Sequence, residues 1–259
     1  MLTSSAAVMT APHTGIARVS GQVLRTGSAE PLATLLARNL AVVYRAAITR
    51  DECEAFVDCI YEARAEWIEN FGGASYTLGR AYYTDLEQGR EGDYFELAEA
   101  SDAMIARAAP GLASRVYDLL GAAVGAWVEQ REGWCGPGVH VFPPLGAVAR
   151  EGGDVHYDTE GLLDEQLAVR APAVTCVLML QPAEFGGGLR VWDQCARADE
   201  RVEVPQPGVR SEIIHYAPGD LVVIDAYRLH QIMPFGGASE RVSATAHAVW
   251  TGARWEVWF

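Results

Sequence analysis

Beyond Gly136 the chain breaks into short β-type runs separated by Gly/Pro turns, and this texture constrains the fold more than any other feature. The runs are GVHVF (138–142), GGDVHYD (152–158), AVTCVLML (173–180), GGGLRVWD (186–193), SEIIHYAP (211–218), DLVVIDA (220–226) and RVSATAHAVW (241–250). Turn residues cluster at 143–144, 152–153, 186–188, 218–220 and 236–237. Many short strands at this spacing predict an antiparallel barrel or a double-sheet jelly roll. The preceding half reads differently. Residues 40–45 (LAVVYR) form a short predicted strand. Thr49 and Glu52 make a T-x-x-E capping box. Cys53, Phe56, Val57, Ile60, Trp67, Ile68 and Phe71 then follow at helical spacing up to Gly72 and Gly73. A second helical region spans 101–131, interrupted at Pro110 and Gly111, and its apolar part at 112–128 is expected to pack on a sheet. Helices first and strands after predict one α+β domain over 29–259, with a helical part at 49–131 and a β core from about 136 to 259. Residues 1–28, rich in small and polar types without a period, are expected to form a flexible or extended arm.

Half of the 259 residues are hydrophobic, enough for one large core. Twenty basic against 34 acidic side chains leave a net charge of −14, which disfavours nucleic acid and anionic membrane surfaces as partners. Cys53, Cys59, Cys135, Cys176 and Cys195 are scattered and odd in number, so neither a disulfide framework nor a zinc knuckle is expected. No basic start followed by an apolar stretch opens the chain, and the apolar runs at 119–128 and 173–180 are too short to span a bilayer. A cytoplasmic protein with a small-molecule partner is the expectation.

Within the β half, His156 and Asp158 are two apart. On a strand that spacing turns both side chains to one face. A third imidazole would complete a two-His-one-carboxylate set, which leaves positions open on a non-haem Fe(II) ion. With 6 histidines among 259 residues, an H-x-D pair arises by chance about 0.3 times and says little alone. The residues downstream add weight by their order. A turn at 217–220 feeds an apolar strand, and His230 comes after a short loop. Eleven residues on, Arg241 and Ser243 share a strand face. A guanidinium fork beside a hydroxyl suits a carboxylate. His215 competes with His230 for the third position. His230 is preferred because Arg241 and Ser243 lie at a short offset from it.

The segment from about 138 to 250 resembles the double-stranded β-helix of the Fe(II)/2-oxoglutarate-dependent dioxygenase superfamily. The resemblance is carried by H156-Y-D158, GGGLRVWD, APGDLVVIDAYRLH ending at His230, and R241-V-S243. It implies a jelly-roll, cupin-like core with N-terminal helices on the major sheet. It implies Fe(II) on His156, Asp158 and His230, the far carboxylate of 2-oxoglutarate on Arg241 and Ser243, and O2 as co-substrate. The implied activity is hydroxylation of an unactivated C–H in a small molecule, with release of succinate and CO2. Related halogenases lack the carboxylate ligand, so Asp158 points away from halogenation. Desaturation and ring formation use the same residues and stay open. The regions 76–89, GVHVFPP and HYDTEGL are similar to compact bacterial hydroxylases of amino acids, N-acyl amino acids and natural-product intermediates. A homodimer is compatible with this reading. The competing classes are a non-redox cupin-like metal-binding protein, against which the Arg241–Ser243 pair argues, and a zinc hydrolase, for which no HExxH base is present.

Four side chains are singled out for substrate contact: Arg80, Tyr82, His140 and Trp192. Arg80, with Arg150, Arg170 and Arg190 as alternatives, would meet an anionic group on the substrate. His140 would lie in a strand near the site. His247 shares parity with Arg241, Ser243 and Thr245, which would turn it to the lumen behind the ligands. His13 falls in the presumed arm. The stretch 76–89 reads equally as a lid or as a structural hairpin, and 159–170 would border the pocket.

Overall fold

The structure is a computed structural model that describes residues 13, 15–196 and 204–259. Its largest element is a ten-stranded sheet. Along the main path the order is Ile16–Ser20, Ala41–Arg45, Leu221–Asp225, Ala173–Gln181, Arg241–Trp250, Gly138–Phe142, Ser75–Leu78 and Ile68–Asn70. Trp255–Trp258 continues beside the end of Arg241–Trp250 and pairs in parallel with Val128–Gln130. A smaller sheet, in the order Ser211–Ile214, Leu189–Cys195, Arg228–Ile232, carries the third histidine, and Phe185–Gly186 pairs with Phe235–Gly236.

Strand alternation decides what each face of the large sheet does. On Arg241–Trp250, residues 242, 244, 246 and 248 join one buried cluster with Val174, Cys176, Leu178 and Leu180, and with Val57, Ile60, Val116 and Leu120 from the helices. Residues 241, 243, 245 and 247 instead line a cavity with Thr175 and Val177. A period of two therefore assigns one face to the helical core and the other to the site. Val139 and Val141 likewise enter the core, whereas His140 and Phe142 turn to the cavity.

The capping box at Thr49 and Glu52 is present and starts the helix Arg50–Glu62. That helix stops sooner than the apolar spacing predicts. Trp67 and Ile68 lie beyond it: Trp67 folds back on the helix end, its Nε1 donating to Ile60 O at 3.0 Å, and Ile68–Asn70 pairs with Ser75–Leu78 and extends the large sheet. The predicted helical region 49–131 thus contains a hairpin and, at Val128–Gln130, a strand. Gly111, at φ 83°, separates helix Ala98–Ala108 from helix Leu112–Val124.

The expectation of an arm over 1–28 is corrected where the residues are described. Ile16–Ser20 pairs in parallel with Ala41–Arg45, and Gln22–Thr26 is a short helix that buries Leu24. Alternation in this strand is masked by its small and polar residues, so the pattern alone could not reveal it. Residues 1–12 and 14 of the arm lie outside the described residues. Among the described residues no helix is long and apolar enough to cross a membrane.

Candidate metal centre and cavity

His156, Asp158 and His230 come together with one ligand atom from each within 4.8 Å of the others. The local backbone is not the strand that the H-x-D spacing suggests. His156 makes a single antiparallel bridge to His230, with N–H···O distances of 3.1 and 3.0 Å in the two directions. His230, expected just after a short loop, lies in strand Arg228–Ile232, beside an irregularity in register between Arg228 and His230. Gly152, at φ 86°, allows the H-x-D segment to approach this strand, because a Cβ there would stand 2.8 Å from the Ile232 carbonyl oxygen. Gly153 N–H then donates to Ile232 O at 2.9 Å, and Gln231 Nε2 donates to Gly153 O at 2.9 Å.

Both imidazoles are oriented through Nδ1. His156 Nδ1 lies 2.8 Å from the Asp154 carbonyl oxygen, and His230 Nδ1 lies 2.9 Å from that of Arg228. Donation to a carbonyl fixes the proton on Nδ1 and presents Nε2 with a free lone pair, the form a metal requires. Nε2 of His156 lies 3.5 Å from Asp158 Oδ1, and Nε2 of His230 lies 3.2 Å from Asp158 Oδ2. That second oxygen is buried and makes no hydrogen bond. A buried carboxylate oxygen left in this way is costly unless something cationic occupies the space before it. The donor set of two imidazoles and one carboxylate fits a first-row divalent metal, which His156, Asp158 and His230 would hold on the wall of the cavity. Burial opposes charge on both His156 and Asp158. Their mutual contact outweighs it, raising His156 to about 9 and holding Asp158, with His230 as its strongest neighbour, well below the carboxylate range.

The cavity before this triad has a volume of about 350 Å³. Arg241, which lines it, is 2 % exposed. Its Nε donates to Gly187 O at 3.3 Å and its Nη1 meets Ser243 Oγ at 3.4 Å. The guanidinium lies between the rings of Tyr216 (5.2 Å) and Phe142 (5.5 Å). Among the described residues no carboxylate pairs with it, and burial pulls its pKa down. A buried cation held only by neutral groups is a receptor for an anion. The structure thus places the predicted carboxylate anchor on the same cavity as the predicted metal ligands.

His140 also lines the cavity. It is 6 % exposed, its Nδ1 has no hydrogen-bond partner, and its ring packs on Tyr83 and Phe259. Burial, reinforced by His247 and Arg241, brings it down to about 3, so it is a neutral imidazole. His247 faces the same space as its strand parity implies and is hydrogen-bonded to Thr175 Oγ1 at 3.0 Å.

The other residues singled out for substrate contact do not line this cavity. Arg80 is turned away from the cavity and ion-paired to the buried Asp85 at 2.7 Å. Tyr82 donates to Glu91 at 2.7 Å and packs among Tyr94, Phe95 and Trp134. Trp192 has parity opposite to the cavity-lining Leu189 on the same strand and is buried in a separate cluster with Tyr157 and Leu229. Arg150, Arg170 and Arg190 do not line this cavity either. His215 is exposed and does not line this cavity, and His13 pairs with Asp193 at 2.7 Å.

Four further residues line the cavity, three of them in the stretches 76–89 and 159–170 marked in the sequence but none named individually there. Tyr83 and Glu87, four residues apart on helix Tyr82–Glu87, present one helical face to the cavity. Glu160 follows the H-x-D motif by two residues, and burial raises its pKa. Tyr216 adds its ring beside Arg241. The i, i+4 spacing of Tyr83 and Glu87 is visible in the chain, but only the hairpin before them shows which face turns inwards.

No sequence-family profile and no curated protein sequence matches the chain. Solved structures do. SnoN, the non-haem α-ketoglutarate-dependent epimerase from nogalamycin biosynthesis, superposes with a TM-score of 0.55 at 14 % identity over 88 % of this chain and 83 % of that one. An N-substituted L-amino acid dioxygenase from Burkholderia ambifaria AMMD gives 0.55 at 15 % identity, covering 93 % and 92 %. A 2OG-Fe(II) oxygenase family oxidoreductase from Burkholderia pseudomallei gives 0.51 at 14 % identity, covering 91 % and 93 %. The chain has the 2OG-Fe(II) oxygenase fold. The likeness extends over most of each chain.

Proposed function

We propose that this protein is an Fe(II)- and 2-oxoglutarate-dependent oxygenase that hydroxylates an unactivated C–H of a small molecule, with release of succinate and CO2. The observation that carries the reading is the pairing, on one cavity, of a His156–Asp158–His230 donor set with a buried Arg241 that lacks a carboxylate partner among the described residues. A non-redox cupin-like metal protein has no use for that cation. The three ligands would hold Fe(II), and Arg241 with Ser243 would hold the far carboxylate of 2-oxoglutarate. Fe(II), 2-oxoglutarate and O2 together supply the oxidising equivalents for inserting oxygen into a C–H bond. The chain itself orients both imidazoles through carbonyls, neutralises the co-substrate's far end and walls the space with apolar side chains that exclude water. A cavity of about 350 Å³ suits a small molecule beside the co-substrate. An amino acid, an amino-acid derivative or a natural-product intermediate is the substrate class proposed. The fold hosts an epimerase as well as dioxygenases, so the reaction outcome rests on the site rather than the fold.

The test is anaerobic addition of Fe(II) and then 2-oxoglutarate. A weak visible metal-to-ligand band is expected, followed by succinate once O2 is admitted. Metal-loaded protein that gives neither band nor succinate would overturn the proposal.

A further inference from the structure

We propose that Tyr83 and His140 receive the substrate together, through hydrogen bonds to an uncharged polar group such as a hydroxyl, carbonyl or amide. This rests on the oxygenase reading and specifies its substrate class. Among the described residues, three buried side-chain atoms on residues lining the metal cavity lack a hydrogen bond: Asp158 Oδ2, the Tyr216 hydroxyl and His140 Nδ1. The cofactors account for the first two. Asp158 Oδ2 belongs to the metal ligands, and the Tyr216 ring lies 5.2 Å from the Arg241 guanidinium, where the far carboxylate of 2-oxoglutarate would sit. His140 Nδ1 is left over, on a side chain that is 6 % exposed. A buried polar atom in that state is relieved by a ligand group that reaches it.

The place of His140 in the sheet favours the substrate as that ligand. It pairs across strands with Ser243 on one side and with Thr77 on the other. It therefore stands one strand beyond the carboxylate anchor, and the ring of Tyr83, from helix Tyr82–Glu87, packs on it at 5.8 Å. Tyr83 lines the same cavity, and its hydroxyl makes no hydrogen bond among the described residues. The charge that acts most strongly on this phenol is Asp158, which sets Tyr83 on the metal side of the cavity. A molecule that touches both rings lies alongside the co-substrate and within reach of the metal.

Both groups are neutral, because burial opposes charge on the imidazole and on the phenol. Each can donate and accept, so the pair satisfies an uncharged polar group, whereas a charge set against them would be buried without a counter-charge. The rest of the wall is aromatic on this side. Phe71, between strands Ile68–Asn70 and Ser75–Leu78, holds a left-handed φ of 51°, and its ring, 41 % exposed, lines the cavity. A non-glycine residue held in that region is strained, and such strain gathers where a side chain is used. An apolar, ring-bearing body beside the uncharged group fits this wall.

The experiment uses three probes. 2-Phenylethanol and 2-phenylacetamide carry an uncharged polar group on a small aromatic body, and ethylbenzene is the body alone. Their dissociation constants are measured by calorimetry on the protein alone and after anaerobic loading with Fe(II) and 2-oxoglutarate. Tyr83→Phe, which removes one oxygen and keeps the ring, should weaken both polar probes roughly three- to ten-fold and leave ethylbenzene unchanged, the order of one neutral hydrogen bond. His140→Phe should do the same, and His140→Gln, which keeps a donor and an acceptor, should restore most of the loss. Affinity for 2-oxoglutarate should stay within about two-fold of the parent in all three variants. No binding of the polar probes to the parent, an equal loss for ethylbenzene, unchanged polar-probe affinity in Tyr83→Phe, or a loss of 2-oxoglutarate affinity in the His140 variants would each overturn the proposal. Tyr83→Phe carries the test where His140→Phe does not fold. The visible band on loading reports on the oxygenase reading separately, so a missing band with an intact probe pattern condemns that reading and not the assignment of the pair.

Discussion

Arg241 shows how one residue ties sequence to chemistry. Its parity on Arg241–Trp250 turns it away from the helical core, and among the described residues the surrounding rings and carbonyls leave its charge without an acidic partner. Removing it should leave the metal in place, since it touches none of the three ligands. Arg241→Ala is expected to retain Fe(II), measured by metal analysis, and to weaken 2-oxoglutarate binding by about 2 to 3 kcal/mol, roughly 30- to 150-fold. Unchanged 2-oxoglutarate affinity would sink the cofactor assignment. His156→Ala should lose the metal itself. The state of His156 adds a pH dependence. In the metal-free protein it holds its proton up to about 9, whereas a ligand imidazole must be neutral. A proton is therefore displaced on metal binding throughout the neutral range, and affinity should rise with pH from 6 to 8 and flatten above about 9. Calorimetry in buffers of differing ionisation enthalpy checks this, with close to one proton released per metal at pH 7. No proton release would contradict the assignment of His156.

At the scale of elements, the site depends on turns that bring distant segments into register. Asp220, 1 % exposed, accepts from Ala217 N–H at 2.7 Å and Ala46 N–H at 3.2 Å and pairs with Arg45. Its side chain clamps the turn that launches Leu221–Asp225 to the end of the neighbouring strand Ala41–Arg45. Asp220→Ala should cost about 3 kcal/mol, because it strands two backbone donors and a cation at once; denaturant unfolding measures it, and a loss below about 1 kcal/mol would refute the clamp. Gly138 has a different constraint. A Cβ there would lie 2.1 Å from the Phe259 ring, which packs on His140. Gly138→Ala should destabilise by about 1 to 3 kcal/mol through overpacking. These two positions explain what can and cannot be read in the chain. The strands at 138–142, 173–181, 221–225 and 241–250 carry dense apolar alternation, and Arg241, Ser243 and His247 fall on the cavity face as their spacing implies. The strand at 228–232 is hidden from the pattern because Arg228 and His230 are polar although buried, Arg228 meeting Asp193 and His230 facing the site. Arg80, Tyr82 and Trp192 mislead because nothing local shows that Arg80 meets Asp85 or that Tyr82 turns to Trp134.

Across the whole molecule, the cavity leaves the protein with an electrostatic deficit that its cofactors would relieve. A buried Arg241 and a buried Asp158 stand at separate places and do not compensate each other, and the surrounding charge is −14 overall. Cofactors bind only the folded chain, so Fe(II) with 2-oxoglutarate at 100 times its dissociation constant should add about 2.7 kcal/mol and raise the melting midpoint by several degrees, reversibly with chelator. The contribution of Arg241 to that gain can be separated. Arg241→Met replaces an uncompensated buried cation by an apolar side chain of similar length. In the absence of cofactors it should be as stable as the parent or more stable, by about 1 to 3 kcal/mol. It should also lose most of the extra stabilisation that 2-oxoglutarate gives above Fe(II) alone. Both halves have one cause, since the charge that makes the empty cavity costly is the charge that binds the co-substrate. Melting curves of the parent and Arg241→Met, taken with no addition, with Fe(II), and with Fe(II) plus 2-oxoglutarate, decide it. A variant that melts lower in every condition by the same amount would make Arg241 a structural residue and detach it from the proposed chemistry.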